Sequence, residues 1–108
     1  VSLKVYVAGP YTKGDKTQNV RVAIGVGERL AALDFVPFIP HLTHFWHILY
    51  PHPIEFWYAY DMLWLETCDC VLRIPGESRG ADAEVYRAKA CGIPIYYSIK
   101  ELVTSEKE

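Results

Sequence analysis

The sequence predicts an α/β fold: a small doubly wound parallel sheet of four to five strands, a flavodoxin-like or Rossmann-like three-layer sandwich. Short apolar runs rich in β-branched residues, such as 3–8 (LKVYVA) and 70–74 (CVLRI), alternate with longer stretches whose apolar residues fall at helical spacing. The runs end in polar turns containing Gly or Pro, and the alternation continues from one end of the chain to the other. With 108 residues there is room for one domain, 1–108, and one core. Such alternation implies right-handed crossovers with helices on both faces of the sheet.

Residues 3–8 form the first buried strand, stopped by Gly9-Pro10, and 11–16 are a polar turn. From Thr17, a plausible N-cap, the positions Val20, Ala23/Ile24, Gly27 and Leu30/Ala31 make the apolar stripe of an amphipathic helix. Residues 35–40 (FVPFIP) are apolar but hold two prolines, which places them in a more peripheral strand. Residues 41–53, with four histidines and two further prolines, read as a long irregular connection or a broken short helix. A second helix follows over 54–67, and a third strand runs from Cys68 or Asp69 to Ile74. The third helix spans 80–91, with Ala81, Val85 and Ala88 as its buried stripe and Gly92 as its C-cap. Residues 93–97 are the fourth strand, and Ser98 caps a final short helix. Disorder is expected only within 104–108.

Composition narrows the function. Eleven basic and 13 acidic residues give a net charge of -2, which supplies no global field for a nucleic-acid polymer. No apolar run reaches membrane-spanning length, and Cys68, Cys70 and Cys91 are too few and wrongly spaced for a disulfide framework or a zinc site. Buried free thiols in a cytoplasmic protein are the expectation.

In the predicted fold the loop after strand one (9–16), the segment from His41 and the turn at 75–80 meet at the carboxyl edge of the sheet, where open α/β folds bind ligands. The first loop approximates a phosphate-binding loop, but Asp15 stands where G-x-x-x-x-G-K-[ST] requires Lys, which disfavours a nucleotide triphosphatase. Gly25-x-Gly27 lies inside a helix, so no dinucleotide motif is present. His41, His44 and His47 recur every three residues, drift around a helix and lack an H-E-x-x-H frame. They read as polar groups at a pocket mouth, with His41 a substrate-binding candidate, and neither metal nor cofactor is assigned.

Ser78-Arg79-Gly80-Ala81-Asp82-Ala83-Glu84 reads as a turn and helix start carrying a carboxylate, Glu84, in the first helical turn. Acids there can simply favour the positive end of the helix dipole. Asp61, set among Tyr60, Met62, Leu63 and Trp64, is a second carboxylate expected near the same turn. Two carboxylates in unlike environments are what glycosidic chemistry uses. From these residues alone the two readings stand level.

Taken together, Ala8-Gly9-Pro10-Tyr11, Asp61-x-x-Trp64-Leu65, Asp69 before an apolar strand, and Ser78-x-Gly80-x-x-x-Glu84 followed by Ala88 resemble the nucleoside 2-deoxyribosyltransferase superfamily, including the 2'-deoxynucleoside 5'-phosphate N-hydrolases. The likeness covers most of the chain. It implies N-glycosidic cleavage or transfer, with Glu84 as the nucleophile kept ionised by the helix dipole, and Asp61 binding or protonating the substrate. Tyr11 would orient the sugar or the nucleophile. Gly9, Pro10, Ser78 and Gly80 would bind the substrate, the latter two at a 5'-hydroxyl or 5'-phosphate, with Lys13, Lys16 or Arg79 as the basic groups. Asp82 is expected to face solvent or contact the first loop.

Residues 45–64 hold eight of the fifteen aromatics, including all three tryptophans. Their uses would be base stacking and a homodimer or higher homo-oligomer, which the resemblance also implies. The alternatives are a non-catalytic nucleotide-binding module and, more weakly, a protein-interaction domain built on the aromatic patch.

Overall fold

The computed structural model describes residues 2–106. Four strands, β1 (Lys4–Ala8), β2 (Val36–Phe38), β3 (Cys70–Arg73) and β4 (Ile95–Tyr96), form one sheet in the order β2-β1-β3-β4. Every pairing is parallel; Val5 lies opposite Pro37 on one side and Cys70 on the other, and Leu72 opposite Tyr96. The order runs outward from β1 in both directions, so the crevice between the loops after β1 and β3 is the switch point at which such sheets bind ligands.

Alternation along the strands divides the core. Val5, Val7, Cys70 and Leu72 pack with Ala23 and Leu30 of α1 (Lys16–Ala32) and Leu102 of α5 (Ile99–Glu106). Tyr6, Ala8 and Val71 pack with Leu65 of α3 (Ile54–Leu65) and with Ala81 and Ala88 of α4 (Arg79–Ala90). A 3-10 turn (Pro40–Leu42) and α2 (Thr43–Leu49) join β2 to α3, so the histidine-rich stretch is a broken helix. No described helix is long and apolar enough to cross a membrane.

Several boundaries differ from the sequence reading. The N-cap of α1 is Asp15, whose carboxylate accepts from the Gln18 amide at 3.1 Å, and Thr17 lies within the first turn. Asp outranks Thr at that position. Only Val20, Ala23, Gly27 and Leu30 of the α1 stripe are buried; Ile24 and Ala31 are exposed. Gly27 is there for closeness, since a Cβ would lie 2.3 Å from Ile39 Cδ1. β4 shrinks to two residues because Pro94 has no amide to donate, although its carbonyl accepts from the Val71 amide at 3.0 Å. Val85 of the α4 stripe is half-buried. Cys68 and Cys70 are buried free thiols, but Cys91, just past α4, is exposed.

The C-terminal end is more ordered than expected. Residues 104–106 are helical in α5, where the Ser98 hydroxyl caps the Glu101 amide at 3.0 Å and the Tyr96 hydroxyl donates to Glu106 at 2.6 Å. Lys107 and Glu108, in the expected disordered tail, lie outside the described residues. At the other end of the sheet Asp69 accepts from the Lys4 amide at 2.8 Å, which fixes where β1 begins against β3.

Candidate active site

Ser78 is the N-cap of α4: its backbone is extended and its hydroxyl accepts from the Ala81 amide at 3.0 Å. The helix therefore begins at Arg79, and Glu84 stands in the second turn, not the first. Asp82 is the acid of the first turn. A helix terminus stabilises charge mainly within its first turn, so the dipole does not hold Glu84 ionised. Burial instead pushes its carboxyl up to about 8, reinforced by Asp61 and opposed by the Tyr6 hydrogen bond and the Arg73 charge.

The tyrosine that grips Glu84 is Tyr6, whose hydroxyl donates to Oε2 at 2.5 Å. Tyr6 is fully buried in β1, with its ring stacked on Phe38, and burial pushes its phenol far up, so it acts as a donor. Sequence reasoning gave Tyr11 the task of orienting the sugar or the nucleophile. Tyr11 lines the cavity, but its hydroxyl shares a 2.6 Å hydrogen bond with His44 Nδ1 and not with Glu84. The signal for Tyr6 was a phenol inside an otherwise apolar strand, because a buried tyrosine hydroxyl needs a partner.

Asp61 projects from α3 into the same cavity. Burial raises its carboxyl to about 7, and Oδ1 is enclosed without a hydrogen-bond partner. Protonation relieves the cost of such an unpaired buried charge. Glu84 and Asp61 thus share a cavity of about 280 Å³ at the switch point, near the lower end of the range for small-ligand sites.

Of the other predicted residues, Gly9, Tyr11, His41, Ser78 and Gly80 line this cavity. Pro10 and Arg79 do not. Pro10 acts one step back: its carbonyl accepts from His41 Nε2 at 2.9 Å, so that nitrogen carries the proton. His41 is buried, burial lowers its pKa, and Nδ1 has no partner. Among the basic candidates Lys16 lines the cavity, 5.8 Å above the Tyr11 ring, whereas Lys13 pairs with Glu77 at 2.6 Å. Asn19 of α1 holds the first loop through the carbonyls of Tyr11 (3.0 Å) and Lys13 (2.7 Å). Asp82 is solvent-facing, but it contacts Arg73 of β3 at 2.9 Å and not the first loop.

The far wall comes from α2 and α3. Trp57 Nε1–H donates to His47 Nδ1 at 2.8 Å, and the His52 amide donates to the same nitrogen at 3.3 Å. His47 therefore carries its ring proton on Nε2, and Trp57 is held in one orientation. Both line the cavity, as does His52, which stacks on Phe56 at 3.8 Å. The histidines at 41, 44 and 47 go to three different partners, and among the described residues no cluster of three or more His, Cys, Asp or Glu could hold a metal.

The fold is shared with a solved 2-deoxyribosyltransferase from the psychrotolerant bacterium Bacillus psychrosaccharolyticus. The two superpose with a TM-score of 0.56 at 20% identity, over 85% of this chain and 69% of the other. That likeness establishes a nucleoside 2-deoxyribosyltransferase-like fold. No curated protein matches the sequence. A model of the family described as "Domain of unknown function (DUF7768)" matches residues 3–98 and so spans the sheet, both carboxylates and the cavity between them: the chain belongs to the DUF7768 family.

Proposed function

We propose that the protein cleaves or transfers the N-glycosidic bond of a (deoxy)nucleoside or nucleoside 5'-monophosphate through a covalent glycosyl-glutamate. The observation that carries this reading is the pairing of Glu84, gripped by Tyr6, with a raised, unpartnered Asp61 in one cavity. The deoxyribosyltransferase-like fold supports a small-molecule nucleoside as substrate.

In the first step the Glu84 carboxylate attacks C1', the C1'–N bond breaks, and its electron pair leaves with the base. Asp61 delivers its proton to that base, so the leaving group departs neutral. In the second step water or another base attacks C1' while Asp61 takes back a proton, and the ester to Glu84 opens with net retention. Trp57, fixed by His47, offers a face for the base. Ser78, Gly80 and Lys16 would receive the 5' end.

The raised Glu84 favours a second reading, a module that binds a nucleotide without turning it over, since the acid is mostly protonated at neutral pH. Incubation with a panel of deoxynucleosides, ribonucleosides and their 5'-monophosphates, with and without an acceptor base, separates the two by chromatography. Base released by wild type but not by Glu84→Gln supports the enzyme, and exchange of bases identifies a transferase. Binding without turnover across the panel supports the module.

Phe45, Leu49, Tyr50 and Leu63 on and beside α2 and α3 are each more than 60% exposed. A second copy packed against these helices accounts for them. A monomer in light scattering at micromolar concentration would rule it out. The free thiols of Cys68, Cys70 and Cys91 fit a cytoplasmic enzyme.

A further inference from the structure

Arg73 is the one buried cation of the molecule among the described residues, and the chemistry above makes no use of it. It ends β3, on the face that carries Tyr6, Ala8 and Val71; its Cα partner on β1 is Ala8, two residues beyond Tyr6. Its side chain is 10% exposed. One terminal nitrogen donates to the Ile74 carbonyl, the other to the Gly76 carbonyl at 2.9 Å and to Asp82 at 2.9 Å. A guanidinium is well suited to this, having several donors in a fixed plane.

Those contacts close the β3–α4 turn. Gly76 has φ 126° and lies against Pro10, where a Cβ would meet Cγ at 2.7 Å. Arg73 thereby ties the turn preceding Ser78 to the first loop's side of the crevice and to the first turn of α4. Tyr6 of β1 donates to Glu84, and Asp61 of α3, Lys16 of α1 and His41 line the same cavity. Arg73 lies on the sheet face of Tyr6, opposite Ala8, with its guanidinium paired to Asp82 two residues before Glu84 on α4, and its buried charge opposes the upward push of burial on Glu84. Asp82, its ion-pair partner, is largely in solvent, so its opposing charge is screened more than that of the buried guanidinium.

We propose that Arg73 is a positioning residue with two tasks: it clamps the β3–α4 turn, and it supplies the buried positive charge that favours the ionised, attacking form of Glu84. The second task rests on Glu84 being the nucleophile, but its test needs no substrate. Glutamate side chains are labelled with 13C, the Glu84 carboxyl resonance is assigned by its loss in Glu84→Gln, and its titration is followed in wild type, Arg73→Met and Arg73→Lys.

The Met variant should titrate about one pH unit higher than wild type, the effect of removing a nearby opposite charge. The Lys variant, which keeps the charge but not the planar clamp, should stay close to wild type while the Ile74 amide, which donates to the Ala8 carbonyl at 2.7 Å where the turn begins, loses hydrogen-exchange protection. An unchanged midpoint in a folded Met variant overturns the proposal. Should that variant fail to fold, Arg73→Gln, which keeps a planar amide donor for the turn carbonyls but carries no charge, decides: the Glu84 midpoint must rise, and no rise overturns the proposal. If a substrate is found, Arg73→Met should fall below wild type at neutral pH and converge with it at alkaline pH, a convergence that a purely structural defect would not give. Failure of every nucleoside to turn over would leave the titration result standing.

Discussion

Replacing Tyr6 with Phe removes one oxygen from a fully buried ring that stays stacked on Phe38, so the change isolates the hydrogen bond to Glu84. A bond to a charged group contributes about 1.5–3 kcal/mol and one to a neutral group about 0.5–1.5 kcal/mol. The difference, about 1–1.5 kcal/mol, is the preference Tyr6 gives to ionised Glu84, and it corresponds to about one pKa unit. Glu84 should therefore rise from about 8 by about one unit. The reactive form needs Glu84 ionised while Asp61, at about 7, keeps its proton. In wild type kcat/KM should rise to a plateau near about pH 7 and fall beyond about pH 8, with only a minor microstate active. Tyr6→Phe should lower that plateau about tenfold and carry its alkaline end up by about one unit, and the two proteins should converge above about pH 9. Base release followed by chromatography across this range gives the profile. A uniform loss at every pH would refute the assignment of Tyr6 as the group that controls Glu84 ionisation.

Asp61→Asn should cost about 10²–10⁴ in kcat, abolish the alkaline limb, and cost less for nucleosides whose base leaves without a proton. Glu84→Gln should be more stable than wild type at alkaline pH, by at most roughly 5 kcal/mol. A carboxyl at about 8 in the folded chain and near 4.5 unfolded binds more protons when folded, so its stability contribution is full below the unfolded value and lost as pH rises through about 8. The gap between the two melting curves should close toward about pH 5, and a constant gap would contradict the burial. Gly27→Ala forces a methyl onto Ile39, so it should destabilise the protein by about 1–3 kcal/mol in denaturant melts without shifting the pH profile.

The sheet, the carboxyl edge where its loops meet and a helix start near Ser78 were legible because strand runs and turn residues are local signals. Asp61 was legible as a carboxylate in apolar company, and Glu84 as an acid near a helix start. Tyr6 and Arg73 were not, although both carried a trace: a phenol and a cation inside buried strands need partners, and which partners is decided by β1, β3 and α4 packing together. The same tertiary effect reversed the expectation for Glu84, since the helix start lies one turn earlier than its acid and desolvation outweighs a dipole that has faded by then. Asp15 was read only as the residue that spoils a phosphate loop, when its physical task is to cap α1. The histidines could not be sorted by spacing, because Pro10, Tyr11 and Trp57 claim one each from different elements.

The most direct test of a glycosyl-glutamate is to quench the protein during turnover of a nucleoside it cleaves, digest it with protease and map the peptides by mass spectrometry. A sugar-sized increment on the peptide containing Glu84, absent from Glu84→Gln and lost on standing with water or acceptor base, is the predicted result. Base release at full rate by Glu84→Gln, or a product of inverted anomeric configuration, would contradict it.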